Sequence, residues 1–273
     1  MGSGIAEVLA RAGLDVVVRD ISEDAIAAGR ARVEKSLGRG VDRGKLSAEE
    51  RDAAVARLHY TVDLADFADR QLVIEAASEN EEIKKSIFAE LDAVVTDPQA
   101  ILASNTSSMP IIRFARSTGR PECVLGIHFF NPAPVQPLVE LVVSELTDPQ
   151  VVETVDAFAT DVLGKVTIRA QDRPGFVVNA LLIPFLFSAI RMVESGQATK
   201  EDVDTGMVNG CAHPMGPIAL ADRVGLDTCL FVGQSIYEET GDPAAKPPVL
   251  LSRMVDAGLL GTKSGRGFYD YSG

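Results

Sequence analysis

The 273-residue chain has no tryptophan, only three histidines and three cysteines, and an aromatic content of 5%. Each shortage closes off a class of function. Cys123, Cys211 and Cys229 are odd in number, and neither they nor the histidines show metal-ligand or redox-pair spacing. No metal site or disulfide framework is therefore expected, and the thiols read as reduced and buried, in a cytoplasmic protein. No apolar run approaches the ~18 residues of a membrane span, and no basic segment leads into a shorter one, so no membrane association is expected. Positive charge is also scarce. Lys and Arg total 26 against 39 Asp and Glu, a net charge of -13 with no basic stripe, which disfavours nucleic acid and anionic membrane surfaces as partners. A small anionic ligand needs only local donors.

What remains is 46% hydrophobic and 24% charged, enough to bury a substantial core in one large or two modest domains. Ile5, Val8, Leu9 and Ala12 share a helical face, Gly13 stops that helix, and Asp15 to Asp20 reads as a short buried strand. Ser22 caps a helix to about Leu37. A charged stretch then leads to a second helix, running through Leu58, and the two form a projecting pair. Strands follow at 71–75, 100–104, 124–130, 138–143 and 165–169, with helices near 81–95, 110–116 and 149–163. Such alternation predicts a parallel, doubly wound sheet. From Gln171-Asp-Arg-Pro-Gly175 onward the segments read as helices punctuated by Gly and Pro. The expected architecture is α/β, a sheet domain over 1–172 followed by an all-helical domain over 173–273.

The helix, Gly13, the strand and Asp20 match the second half of a dinucleotide-binding βαβ unit, where an acid ending the second strand binds the adenosine ribose hydroxyls. A carboxylate there favours NAD over NADP. The strand and first glycines that should precede are not in the sequence; only Gly2 is placed to be the last glycine of a G-x-G-x-x-G. A sheet domain lacking its central first strand is expected, hence an N-terminally shortened form. Read alone, Gly2 and Gly4 equally suit a flexible start, and Asp20 a strand-to-helix turn.

His128 and Glu140 lie in Gly126-Ile-His-Phe-Phe-Asn-Pro and the segment after it. An alcohol losing hydride must also lose a hydroxyl proton, and imidazole titrates near neutrality, which suits it to accept one. His128 ends a predicted strand, where ligands collect in open α/β sheets, and a tight Pro-rich return would bring the Glu140 carboxylate to its ring. The other reading is a histidine satisfied in the core and a glutamate on a solvated face. Ser104-Asn-Thr-Ser-Ser108 adds hydroxyl and amide donors at the same rim, although Ser107 also suits a helix cap; Asn131 lies three residues after His128, and Asn179 interrupts an apolar helix.

These segments, with His213-Pro-Met-Gly-Pro and Gly265-Arg-Gly-Phe-Tyr, resemble the short-chain L-3-hydroxyacyl-CoA dehydrogenases, in order and from residue 1 to about 271. The resemblance implies a Rossmann-like domain and a helical domain that closes over substrate, with a hinge near Pro174-Gly175. It implies reversible NAD-dependent oxidation of (S)-3-hydroxyacyl-CoA, with 3-hydroxybutyryl-CoA as the expected substrate. His128 would be the base, Glu140 its partner, Ser107 the group bonded to the reacting oxygen, and Asn131 and Asn179 the residues holding the site and the domain interface. Gly2, Asp20, Glu79, Lys84 and Asn105 would serve NAD. Ser36 and Arg43 match positions that contact coenzyme A, Arg43 standing where a lysine is expected. A homodimer through the helical domain is implied as well. Two rivals remain at this point: a free β-hydroxy acid dehydrogenase and a noncatalytic structural homologue.

Overall fold

The computed structural model describes residues 1–272. Helix α1 (Gly2–Arg11) presents Ile5 and Val8 on one side and the small Ala6 and Ala10 on another, all buried. After strand β1 (Val16–Arg19), helix α2 (Glu23–Asp42) starts where the Ser22 hydroxyl accepts a bond from the Ala25 N–H at 3.2 Å. Helix α3 (Ala48–Ala56) opens on a reciprocal Ser47 and Glu50 cap. The helix expected to run through Leu58 stops earlier, and Leu58–Thr61 is strand β2, paired in parallel with β1. Tertiary burial decides this: Leu58, with Tyr60 beside it, joins Ala6, Ala10, Val33, Leu37 and Ala54 in a small core, a setting that a strand rich in aromatic and β-branched residues fits. His59 lies exposed on that strand.

The second sheet takes β3 (Leu72–Glu75), β4 (Ile101–Ser104), β5 (Val124–Phe129), β6 (Leu138–Val143) and β7 (Val166–Gln171), in that spatial order. Helices α4 (Glu81–Val94), α5 (Ile111–Ala115) and α6 (Pro149–Ala157), the last prolonged by a π turn to Val162, connect them. Strands β3, β4 and β5 are parallel, but β6 runs antiparallel to β5 and β7 follows β6. The departure from an all-parallel sheet has a simple cause: residues 130–137 are too few for a crossover helix, so the chain must turn straight back.

Among the described residues, β1 and β3 each pair on one edge only, so the strands form two sheets. Helix α1 serves both. Ile5 and Val8 pack with Leu125, Ile127, Phe129 and Val155 against the larger sheet, while Ala6 and Ala10 face the smaller one. All six residues of β5 are buried, which makes it the central strand of its sheet in environment as well as position.

By compactness the chain divides into one unit of residues 1–106 and 110–172 and another of 107–109 and 173–273. The second holds α7 (Val178–Glu194), α8 (Lys200–Cys211), α9 (Pro217–Val224), α10 (Leu226–Thr240) and α11 (Val249–Asp256), around Ile183, Leu186, Phe187, Ile218, Cys229 and Leu251. In it the fully buried Asp222 carboxylate accepts from the Phe268 and Tyr269 N–H groups, both at 2.9 Å, and from the Tyr271 hydroxyl at 3.1 Å. Burial and that charge push the Tyr271 phenol up to about 12. Asp204 likewise holds the first turn of α9 through Ile218 and Ala219. The cysteines divide. Cys123 and Cys229 are buried, the latter thiol pushed up to about 12 by desolvation, but Cys211 is exposed because α8 buries none of its residues.

Gly261 has φ +89°, and a Cβ there would sit 2.1 Å from the Asp222 carbonyl oxygen. Gly261→Ala is expected to cost about 3 kcal/mol or more, by strain and collision together, measurable as a lowered midpoint in urea or thermal unfolding.

Candidate active site

Directly opposite residues of an antiparallel pair share a face, and His128 stands opposite Glu140 in the β5–β6 register. The imidazole Nδ1 lies 2.7 Å from Glu140 Oε2, with the histidine 6% exposed and the glutamate fully buried. The Phe130 ring packs against the imidazole, centroids 4.6 Å apart. A histidine so held has one tautomer and one orientation, since a buried carboxylate accepts and Nδ1–H must donate. Asn105 steadies the strand beneath: its Oδ1 accepts from the Phe129 N–H at 2.8 Å, and its own N–H donates to the Glu75 carbonyl.

A second cluster lies at the carboxyl end of β3. Glu75 was not among the residues singled out from the sequence, yet its carboxylate accepts four hydrogen bonds. Lys84 Nζ reaches its two oxygens at 2.8 and 2.9 Å, Ser104 Oγ donates at 2.6 Å, and the Ala77 N–H donates at 2.5 Å. Lys84 is fully buried, and its ammonium also lies 3.9 Å from Glu79. Glu79, exposed at the turn, accepts from Thr106 Oγ1 at 2.8 Å. Removing one partner of a pair buried like Glu75 and Lys84 typically costs roughly 3–5 kcal/mol, because the other charge stays behind uncompensated. The available signal was a glutamate closing an otherwise apolar strand.

Gly2 opens α1, whose first turn has neither a side-chain cap nor an acidic residue, and a Cβ on Gly2 would lie 3.7 Å from Ala76 Cβ. Uncapped N–H groups without negative charge fit a dinucleotide diphosphate. Asp20 follows β1 half-buried, its Oδ1 accepting from the Ile21 N–H. Asn131 is exposed and precedes Pro132 through a cis bond, in a loop braced by Lys165, whose ammonium donates to the Ala133 and Gln136 carbonyls, both at 2.7 Å. Burial holds that ammonium below the usual lysine range. Ser107 and Asn179, the latter in the first turn of α7, belong to the second unit. No serine caps α5: the Asp172 carboxylate does, accepting from Ile111 and Ile112 at 2.7 and 2.8 Å. His213 follows α8 in a turn, its ring 5.6 Å from that of Phe185.

Two family models account for nearly the whole sequence: the NAD binding domain of 3-hydroxyacyl-CoA dehydrogenase matches residues 1–173, and the C-terminal domain of the same enzyme matches 175–271. The chain belongs to the 3-hydroxyacyl-CoA dehydrogenase family. Among the dehydrogenases it resembles, the 3-hydroxybutyryl-CoA dehydrogenase of Mycobacterium tuberculosis is 58% identical over 99% of this chain and 95% of its own length. The crystal structure of M. tuberculosis FadB2 matches with a TM-score of 0.98 at 58% identity, covering 99% of this chain and 95% of that one. That of (S)-3-hydroxybutyryl-CoA dehydrogenase from Ralstonia eutropha matches at 0.93 and 43%, over 100% and 96%.

For a 3-hydroxyacyl-CoA dehydrogenase, the two candidates on the helical pair differ in setting. Arg43 is exposed at the end of α2, whereas Ser36 is half-buried and bonded to Glu7 of α1. Desolvation raises the Glu7 carboxyl above its ordinary value of 4.5, outweighing the opposing effects of Ser36, Arg11 and Arg39. A carboxyl with a raised folded-state pKa holds its proton more tightly when folded, so its contribution to stability falls as pH rises above about 4.5. Glu7→Gln is accordingly expected to raise stability at pH 7, an advantage that disappears near pH 4 when the unfolding midpoints of the two proteins are compared across pH.

Proposed function

We propose that this protein catalyses the reversible NAD-dependent oxidation of (S)-3-hydroxyacyl-CoA thioesters to 3-ketoacyl-CoA, with 3-hydroxybutyryl-CoA as a substrate. The observation that carries this is the buried cross-strand His128 and Glu140 pair, 2.7 Å apart at the carboxyl edge of the sheet. The likeness to 3-hydroxybutyryl-CoA dehydrogenases over the whole chain supplies the substrate class.

Bound at the first unit, NAD would supply the hydride acceptor. The proton is the protein's task. With Nδ1 engaged by Glu140, Nε2 is the ring atom that takes the substrate hydroxyl proton; Glu140 fixes the tautomer before transfer and stabilises the imidazolium after it. Ser107 is assigned to the oxygen on the reacting carbon, and Asn131 and Asn179 to holding the site. Gly2 and the uncapped start of α1 serve the diphosphate, Asp20 the adenosine ribose, and Glu79, Lys84 and Asn105 the nicotinamide end. Asp20 favours NAD over NADP, because its carboxylate repels a 2′-phosphate. Arg43 suits a phosphate of coenzyme A, and Ser36 is placed with it. Residues 1–172 thus form the NAD-binding domain and 173–273 the substrate and dimerisation domain.

Consumption of NADH with acetoacetyl-CoA, and none with acetoacetate, is the expected assay result. Equal rates with both would replace the thioester by a free acid as substrate, and no turnover with either would point to a noncatalytic relative. His128→Gln should lower kcat by about 10² to 10⁴ with little change in fold by circular dichroism, since general bases supply that much.

Helix α8 buries none of its residues, and α7 carries Leu181 at 74% exposure. That apolar exposure supports a homodimer through the helical domain. Sedimentation velocity should give a dimer that Leu181→Glu weakens; a monomer at assay concentrations would exclude it. Among the described residues no helix is long and apolar enough to cross a membrane, and free cysteines are in keeping with the cytoplasm.

A further inference from the structure

We propose that Glu75 is a positioning residue for the dinucleotide: it fixes the turn of residues 76–80 and so presents Glu79 to the nicotinamide end of the cofactor. The proposal rests on the function assigned above. Its physical basis is the convergence of four elements on one carboxylate. Glu75 closes β3; its Oε1 takes the Ala77 N–H at 2.5 Å, which folds the turn back on the strand that feeds it. The same carboxylate holds Lys84 from the first turns of α4, and Lys84 Nζ in turn lies 3.5 Å from the Ala77 carbonyl. The turn is thus gripped at Ala77 from both sides.

The other route runs through β4. Ser104 Oγ donates to Glu75 Oε2 at 2.6 Å and accepts from the Thr106 N–H at 3.2 Å, and Thr106 Oγ1 donates to Glu79 Oε2 at 2.8 Å. Glu79 is therefore reached from Glu75 by one chain of hydrogen bonds, through Ser104 and Thr106, and by the longer ion pair to Lys84 at 3.9 Å. Glu75 is 5% exposed and so sits behind the surface rather than on it. Glu79 sits at that surface, and it is oriented by groups that meet at Glu75. The fully buried Lys84 has most of its donors directed inward to Glu75 and Ala77, which makes it part of the support for Glu79. A carboxylate answered by four hydrogen bonds from three groups has little freedom to reorganise, and whatever it supports is preorganised before the cofactor arrives.

The test is the dissociation constant for NADH, read by fluorescence titration on the full chain. Glu75→Gln leaves Lys84 uncompensated and is expected to weaken NADH binding about tenfold, with KM for acetoacetyl-CoA within about twofold. Because a lone buried ammonium also destabilises the fold, the deciding measurement is the coupling of Glu75 to Glu79, made well below every variant's thermal midpoint: Glu79→Gln should weaken NADH about tenfold in the unsubstituted protein but less than about twofold when added to Glu75→Gln. If Glu79→Gln weakens NADH equally in both backgrounds, Glu75 is only structural and the proposal is overturned. Failure of the unsubstituted protein to bind NADH would instead overturn the cofactor assignment beneath it.

Discussion

A carboxylate taken out of water must be met by donors, and the larger sheet of this protein is arranged around two that are. Glu140 meets the imidazole of His128 across the antiparallel ladder, and Glu75 meets Lys84, Ser104 and the Ala77 N–H at the end of a parallel strand. Both lie toward the carboxyl edge of β3 to β5. Elsewhere the sheet buries Val, Leu, Ile and Phe, for which area alone sets the energy and neighbouring residues are interchangeable within limits of volume. Buried charges permit no such tolerance. Their partners must come from particular positions on particular elements, so they fix β3 to α4, β4 to β3 and β5 to β6 in ways that hydrophobic contact could not.

The antiparallel turn is what makes the first of these pairings available. In a crossover connection the next strand would start at the opposite edge, with its early residues far from the end of β5. By returning within residues 130–137, the chain places the beginning of β6 beside the end of β5, and the cross-strand partner of His128 becomes a residue only twelve positions later. The cost is a break in the parallel pattern. The loop responsible is held by Lys165 through the Ala133 and Gln136 carbonyls, and Ala133 and Pro134 lie against Gly4 of α1. The loop that carries Asn131 is thereby tied to the helix whose start is assigned to the cofactor.

How much of this could be read from the sequence follows the same division. The strands and helices of the sheet domain were legible because apolar periodicity is local, and the helical second unit because its segments are bounded by Gly and Pro. His128 and Glu140 stood out as polar residues in apolar strands, though only the ladder shows them face to face. Strand β2 was hidden: four residues, Leu58 to Thr61, with an exposed histidine, follow a helix without a strong stop signal, and only the core beneath Leu58 determines their conformation. The antiparallel course of β6 was likewise invisible to an argument from alternation alone. Glu75 was missed for a different reason. Its partners lie 2, 9 and 29 positions away, on three elements, and no one-dimensional pattern links them.

The segment Gly265-Arg-Gly-Phe-Tyr269 helped to mark the family, yet Gly267 and the Phe268 and Tyr269 N–H groups lodge against Asp222 in the second unit. A signature of this sort records where a segment is tethered to a core. In a cell, loosening that tether would expose an aromatic segment to proteases, so damage there would register first as a shorter protein lifetime and lower abundance, with the catalytic constants of the surviving molecules unaltered.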